Sequence, residues 1–137
     1  MATASDIVSR ALRLLTVLDP HEAAEAEDFE TGTLALNAMC ARWEANGMAI
    51  GWSPIVNPAD DLPCPPEVEE ALAYNLAVRL RPEYNVQLAQ DVIEIAKEGM
   101  RALMRDRLVE MPLRMRNRLS NRLSNGDRWN IVTDSPF

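Results

Sequence analysis

The chain has 137 residues, 47% of them hydrophobic and only 5% aromatic, which suits one domain with a modest core, and its Ala, Leu, Val and Met favour helices over sheets. Its net charge of −7 is uneven: residues 1–100 hold 6 Lys and Arg against 17 Asp and Glu (−11), and residues 101–137 hold 8 Arg against 4 acids (+4). An acidic body with a basic end argues against a protein that wraps nucleic acid over a broad basic face, and 2 Cys with 1 His are too few for a disulfide framework or a zinc centre.

The first helix is expected over residues 3–18. Thr3 and Asp6 have the spacing of a capping box, and Ile7, Leu12 (or Ala11), Leu14, Leu15 and Leu18 form an apolar stripe. Asp19-Pro20 is the expected stop. A second helix follows over residues 25–46. Glu25, Glu27, Asp28 and Glu30 crowd its positive end, and Leu36, Met39, Cys40 and Trp43 keep helical spacing, with Phe29, Thr33 and Leu34 continuing that face upstream. Asn46-Gly47 reads as its C-terminal cap.

Residues 48–66 are an irregular, Pro-rich middle. Short strands at 48–50 and 54–56 are compatible with the sequence, as is a hairpin around Gly51-Trp52-Ser53-Pro54 projecting from the body, but five prolines forbid a regular central strand. The third helix starts at Pro65-Pro66 and runs to Arg81, with Leu72, Leu76 and Leu80 inward, and Pro82 is expected to break it. A long fourth helix is expected over residues 85–110, burying Leu88, Val92, Ile95, Ala96, Gly99, Leu103 and Met104 and projecting its Arg-rich end. From Met111-Pro112 onward the chain is rich in Arg, Asn and Ser without an apolar period. The fold class is therefore all-α: a small four-helix bundle (1–110), an irregular middle loop or hairpin, and an extended basic arm (111–137). The arm is expected to be disordered in the free monomer and to order on docking, since it has little apolar surface to bury.

Catalytic signatures are lacking. The chain has no G-x-S-x-G, H-E-x-x-H, Walker A or G-x-G-x-x-G sequence. Glu69-Glu70, Glu94 with Glu98, and Asp60-Asp61 read as solvated faces or polar loop, and nothing sets two of them across a cleft. His21 reads as a surface residue. Cys40 reads as core and Cys64 as loop, with a bridge between them the minor alternative. Neither a signal peptide nor a membrane span is expected. Trp43 reads as core, whereas Trp52 reads equally as core or as a partner-facing anchor. In the arm, Trp129, Ile131 and Phe137 have no core of their own, so they read as docking residues. The Arg series Arg114, Arg116, Arg118, Arg122 and Arg128 suits either phosphates or an acidic protein surface.

Two stretches resemble a known family. LNAMCARWEANGM (36–48) is similar to an L-x-x-M-x-x-x-W-x-x-x-G segment, and NLAVRLRPEYNVQLAQDVIEIAKEGMRAL (75–103) is similar to N-L-A-x-R-x-x-P-x-Y followed by a long helix with A-K-x-G. Both belong, in this order, to the tail accessory factors of short-tailed bacteriophages, also called packaged-DNA stabilisation or head-completion proteins. The Arg/Asn/Ser-rich tail with a late Trp fits as well.

The resemblance implies a non-enzymatic helical head-to-tail adaptor without cofactors, made in the host cytoplasm and built into the virion. Copies would form a ring, commonly a dodecamer, under the portal protein. The ring would extend the DNA channel, passing packaged DNA without sequence-specific binding, and carry the next tail or nozzle component. The expected portal-binding residues are Met111, Pro112, Arg114, Arg116, Arg118, Arg122, Trp129, Ile131 and Phe137. Trp52, Ile55, Arg101 and Arg105 are expected to meet a neighbouring subunit or the tail. Two alternatives stand beside this reading: a nucleic-acid-binding packaging or regulatory protein using the Arg arm, and a peptidoglycan-cleaving enzyme using a buried acid.

Overall fold

In the computed structural model of the protein, which describes residues 2–107 and the backbone of 129–130 and 135–136, four helices follow one another: α1 (Ala4–Leu14), α2 (Ala26–Ala45), α3 (Pro66–Tyr84) and α4 (Gln90–Arg107). Two two-residue strands, β1 (Trp129–Asn130) and β2 (Ser135–Pro136), pair antiparallel with Trp129 opposite Pro136. The fold is the small all-α bundle that the composition and periodicity imply. Residues 108–128 and 131–134, on which the expectation of an arm ordered by docking falls, lie outside the described residues.

α1 begins with the expected capping box. Thr3 Oγ1 accepts from the Asp6 N–H at 3.3 Å, and the Asp6 carboxylate accepts from the Thr3 N–H at 2.9 Å and its hydroxyl at 2.8 Å. These bonds, the backbone one foremost, hold the Asp6 pKa below its ordinary value. The helix ends at Leu14 rather than at Leu18. Thr16 takes the left-handed conformation (φ +60°), its N–H donates to Arg13 O at 3.0 Å, and the Val17 N–H donates to Leu12 O at 3.2 Å. That pair of bonds is a Schellman closure. Leu15 and Leu18 remain buried after the turn, so the apolar pattern outlasts the helix. α2 ends in the same motif with a residue better suited to it: Gly47 at φ +91°, its N–H donating to Glu44 O and that of Met48 to Trp43 O.

α3 is the central helix, packed against each of the other three. Leu72, Leu76 and Leu80 are fully buried, and Leu36, Met39, Cys40 and Trp43 of α2 share their core. Pro82 does not break α3, which continues to Tyr84 and closes on Asn85 at φ +50°. The bond that proline removes lies in the last turn, and that turn is anchored elsewhere: the Tyr84 hydroxyl donates to Asp28 Oδ1 of α2 at 2.7 Å. α4 accordingly starts at Gln90, after a connection over 85–89, and not at Asn85.

Two glycines set how closely helices approach. A Cβ on Gly32 of α2 would lie 2.5 Å from Val8 Cγ1 of α1, and one on Gly99 of α4 would lie 3.1 Å from the Ala71 Cβ of α3. α4 buries Val92, Ala96 and Leu103 against α3. Ile95 and Met104, expected in the core, stand 38% and 48% exposed on its two flanks, because among the described residues α4 packs chiefly on α3 and covers a narrow stripe there.

Candidate functional site

The middle segment, for which a projecting hairpin is one arrangement compatible with the sequence, is sewn to the body. Residues 49–56 have no regular secondary structure, so neither short strand nor a projecting hairpin forms. Met48, Ile50, Ile55, Leu62 and Cys64 are all buried. The far end of the segment closes the start of α1. The Ala4 and Ser5 N–H groups, which have no partner within their own helix, donate to Asp60 O at 3.2 Å and Pro58 O at 2.8 Å, and the Leu62 N–H donates to Ala2 O.

The near end is clamped to α2. Asn37 Nδ2 donates to Ile55 O at 2.7 Å, and Asn37 Oδ1 accepts from the Ile55 N–H at 2.9 Å and from the Trp52 indole N–H at 3.3 Å. The amide thus pairs with the Ile55 backbone as a strand would. Glu44 Oε1 accepts from the Trp52 N–H at 2.9 Å. Trp52 is half-buried and held by α2, while Ile55 is 6% exposed and packs in this chain's own core, not on an outward face.

Beside the clamp, α2 and the segment enclose a groove of about 450 Å³. Leu34, expected on the inner face, stands 65% exposed at its rim, and Val56 stands 91% exposed opposite. The buried Thr33 hydroxyl on the same wall has no hydrogen-bond partner among the described residues.

A second apolar surface lies along the α3–α4 pair. One flank of α4 carries Lys97, Arg101, Met100 and Met104 around a groove of about 320 Å³. The other carries Glu98 and Asp106, which with Glu67 and Glu70 of α3 line a groove of about 500 Å³. Arg101, one of the expected contact residues, therefore sits on the basic flank. Arg105 is exposed and leans on its neighbour Asp106 at 3.2 Å.

Among the described residues, no group of three His, Cys, Asp or Glu side chains could hold a metal ion. Of the acids singled out by sequence, Glu69 faces the Ala2 N–H at 3.4 Å, Glu70 faces Arg10 at 4.0 Å, and Glu94 accepts from Gln90 at 3.4 Å. Cys40 and Cys64 are both buried free thiols. Burial is the main cause pushing both thiols up, Cys64 to about 11 and Cys40 further, so neither is a ready nucleophile.

A protein-family model described as the P22 tail accessory factor matches residues 1–136. The chain belongs to that family. A tail accessory factor is a structural protein of a bacteriophage virion, so the helical body and the Arg-rich end are parts of one assembly component. A comparison with curated proteins finds no match. Among the described residues of this tail accessory factor, no helix is long and apolar enough to cross a membrane.

Of the expected portal-binding residues, Met111, Pro112, Arg114, Arg116, Arg118, Arg122, Ile131 and Phe137 lie outside the described residues, and Trp129 is described by its backbone in β1 alone. Sequence reasoning missed three residues that shape the surfaces of this tail accessory factor. Asn37 looks like an ordinary polar helix residue, and its only signal is its place beside the buried Leu36 on the side that the middle segment covers. Gly32 is a helix-interior glycine, a position that calls for a packing reason. Lys97 entered as one charge in a total and as the Lys of the A-K-x-G stretch, with no contact assigned to it.

Proposed function

We propose that this tail accessory factor is a non-enzymatic head-to-tail adaptor. Copies form a ring beneath the portal protein, extend the DNA channel and give the downstream tail or nozzle component its platform. The observation that carries the reading is the family match, which runs through both the helical body and residues 111–136. The division of charge supports it. The body of residues 1–100, at −11, suits a channel wall past which DNA slides without adhering, because like charges repel. The basic segment, at +4 over residues 101–137, is the part that reaches a different partner.

In this reading residues 1–110 are the ring-forming body and residues 111–137 the arm that binds the portal, through Met111, Pro112, Arg114, Arg116, Arg118, Arg122, Trp129, Ile131 and Phe137. Trp52 and Arg101 lie toward a neighbouring subunit or the tail, with Arg105 beside them.

The test is cryo-electron microscopy of the chain reconstituted with its cognate portal, with and without residues 111–137. A ring that forms on the portal only when the arm is present is the expected result. A ring that forms equally well without it moves the portal contact onto the helical body. A chain that fails to bind the portal in either form refutes the adaptor reading.

A further inference from the structure

The two flanks of α4 differ in a way that matches one to the other. The lining of the larger groove holds four acids, Glu67, Glu70, Glu98 and Asp106, and no base, over a floor that includes Ile95 and Leu103. The lining of the smaller groove holds two bases, Lys97 and Arg101, and no acid, beside Ile93, Val78, Met100 and Met104. Lys97 and Arg101 are exposed, and neither has an ion-pair partner among the described residues. Arg10 and Arg105 approach Glu70 and Asp106, but both pairs are largely exposed and so weakly held. The grooves draw on nearly the same span of α4, residues 95–106 on one side and 93–104 on the other. They therefore stand at one height on opposite sides of one helix.

We propose that the occupant of each groove is a second copy of this chain, with the basic flank of one copy docked in the acidic flank of the next. Such contacts are heterologous, so each copy uses both flanks and the step repeats in one direction, closing into a ring if its rotation closes. A two-fold dimer through either flank would oppose like charges, which disfavours it. The exposed Met104 and Ile95 give the two surfaces their apolar centres, and the charges around them fix which flank meets which. The proposal rests on the ring reading above and names the lateral interface of that ring.

Charge reversal on the full-length chain tests it. K97E/R101E makes both flanks acidic, and E70K/E98K turns the acidic flank basic. All four side chains are exposed, and circular dichroism checks that each variant keeps its helices. Sedimentation velocity at low ionic strength, up to millimolar concentration, is expected to show self-association of the wild-type chain. Each variant alone should associate at least about tenfold more weakly, and an equimolar mixture of the two should recover, because alternating copies restore every opposite-charge contact. A wild-type chain that stays monomeric, variants that associate as the wild type does, or a mixture that fails to recover would each overturn the proposal. Binding of the same chains to the isolated portal separates the two readings: a chain that remains monomeric yet binds the portal removes this interface and leaves the adaptor function standing.

Discussion

Removing the Asn37 amide should unfasten the middle segment while leaving the four helices folded. The side chain makes bonds of 2.7, 2.9 and 3.3 Å to the Ile55 carbonyl, the Ile55 N–H and the Trp52 indole. At about 1 kcal/mol net for each good bond, and less for the longest, Asn37→Ala should cost about 2–3 kcal/mol, including the penalty for the half-buried groups it strands. Asn37→Asp separates this account from a general loss of packing. Its carboxylate still accepts from Ile55 and Trp52 but faces the Ile55 carbonyl with a lone pair and no proton. Only the protonated form can donate there, so the folded state should raise this pKa. A raised pKa means stability present below the unfolded value of about 3.9 and lost as pH rises through the folded value. Asn37→Asp should therefore fall furthest behind the wild type near neutral pH and recover part of the gap in acid, whereas Asn37→Ala should show no such recovery. Urea unfolding at both pH values measures the energies, and hydrogen exchange at the Ile55 amide reports the clamp itself. If Asn37→Ala unfolds within about 0.5 kcal/mol of the wild type and the Ile55 amide keeps its protection, the clamp does not hold the segment.

Gly32→Ala should destabilise by about 1–3 kcal/mol through the collision with Val8, and part of that loss should return when Val8→Ala is added; strictly additive losses in a double-mutant cycle would show that the two positions do not meet. Thr16→Gly should raise the thermal midpoint, with a gain of about 1 kcal/mol, because a β-branched residue at φ +60° is replaced by one that adopts this conformation freely; an unchanged or lower midpoint would refute the strain. Desolvation, then the bond to Asp28, raises the Tyr84 pKa above 10.0. The native state thus resists an ionisation that the unfolded chain undergoes, and stability should fall as pH climbs past 10; Tyr84→Phe should lose about 1–2 kcal/mol at neutral pH but decline less steeply above 10, and parallel alkaline profiles would argue against the assignment.

Helix existence was legible because burial on one side leaves a period. Leu72, Leu76 and Leu80, or Met39, Cys40 and Trp43, carry that period in their spacing and are all buried. Ends were less legible wherever something outside the helix decided them. α1 stops at a Schellman turn on Thr16, a residue with no preference for that conformation, while the apolar pattern runs on to Leu18. α3 outlasts Pro82 because Tyr84 is tied to α2, a contact between residues 56 positions apart that no local pattern reveals. The middle segment misled for a related reason. Its prolines do forbid strands, but whether it projects or packs depends on backbone bonds to Asn37 and the first turn of α1, which leave no trace in composition. Of the surfaces proposed for assembly, Arg101 is one that its charge already singles out in the sequence. The opposition of two flanks on α4 appears only when α3 fixes which stripe of the helix is inward.

The bonds from Ala4 and Ser5 to Pro58 and Asp60 also govern how the protein can be made. On the ribosome α1 emerges first, yet its opening turn finds acceptors only after residue 60 has been synthesised. An isolated 11-residue helix is marginal in water, so the nascent α1 is expected to gain its full stability only once α2, the middle segment and α3 have emerged to cover it. α3 and α4, joined by a short connection, can pair as soon as both are out. The expected order of assembly therefore runs against the direction of translation, with α1 settling last onto elements that follow it in the chain.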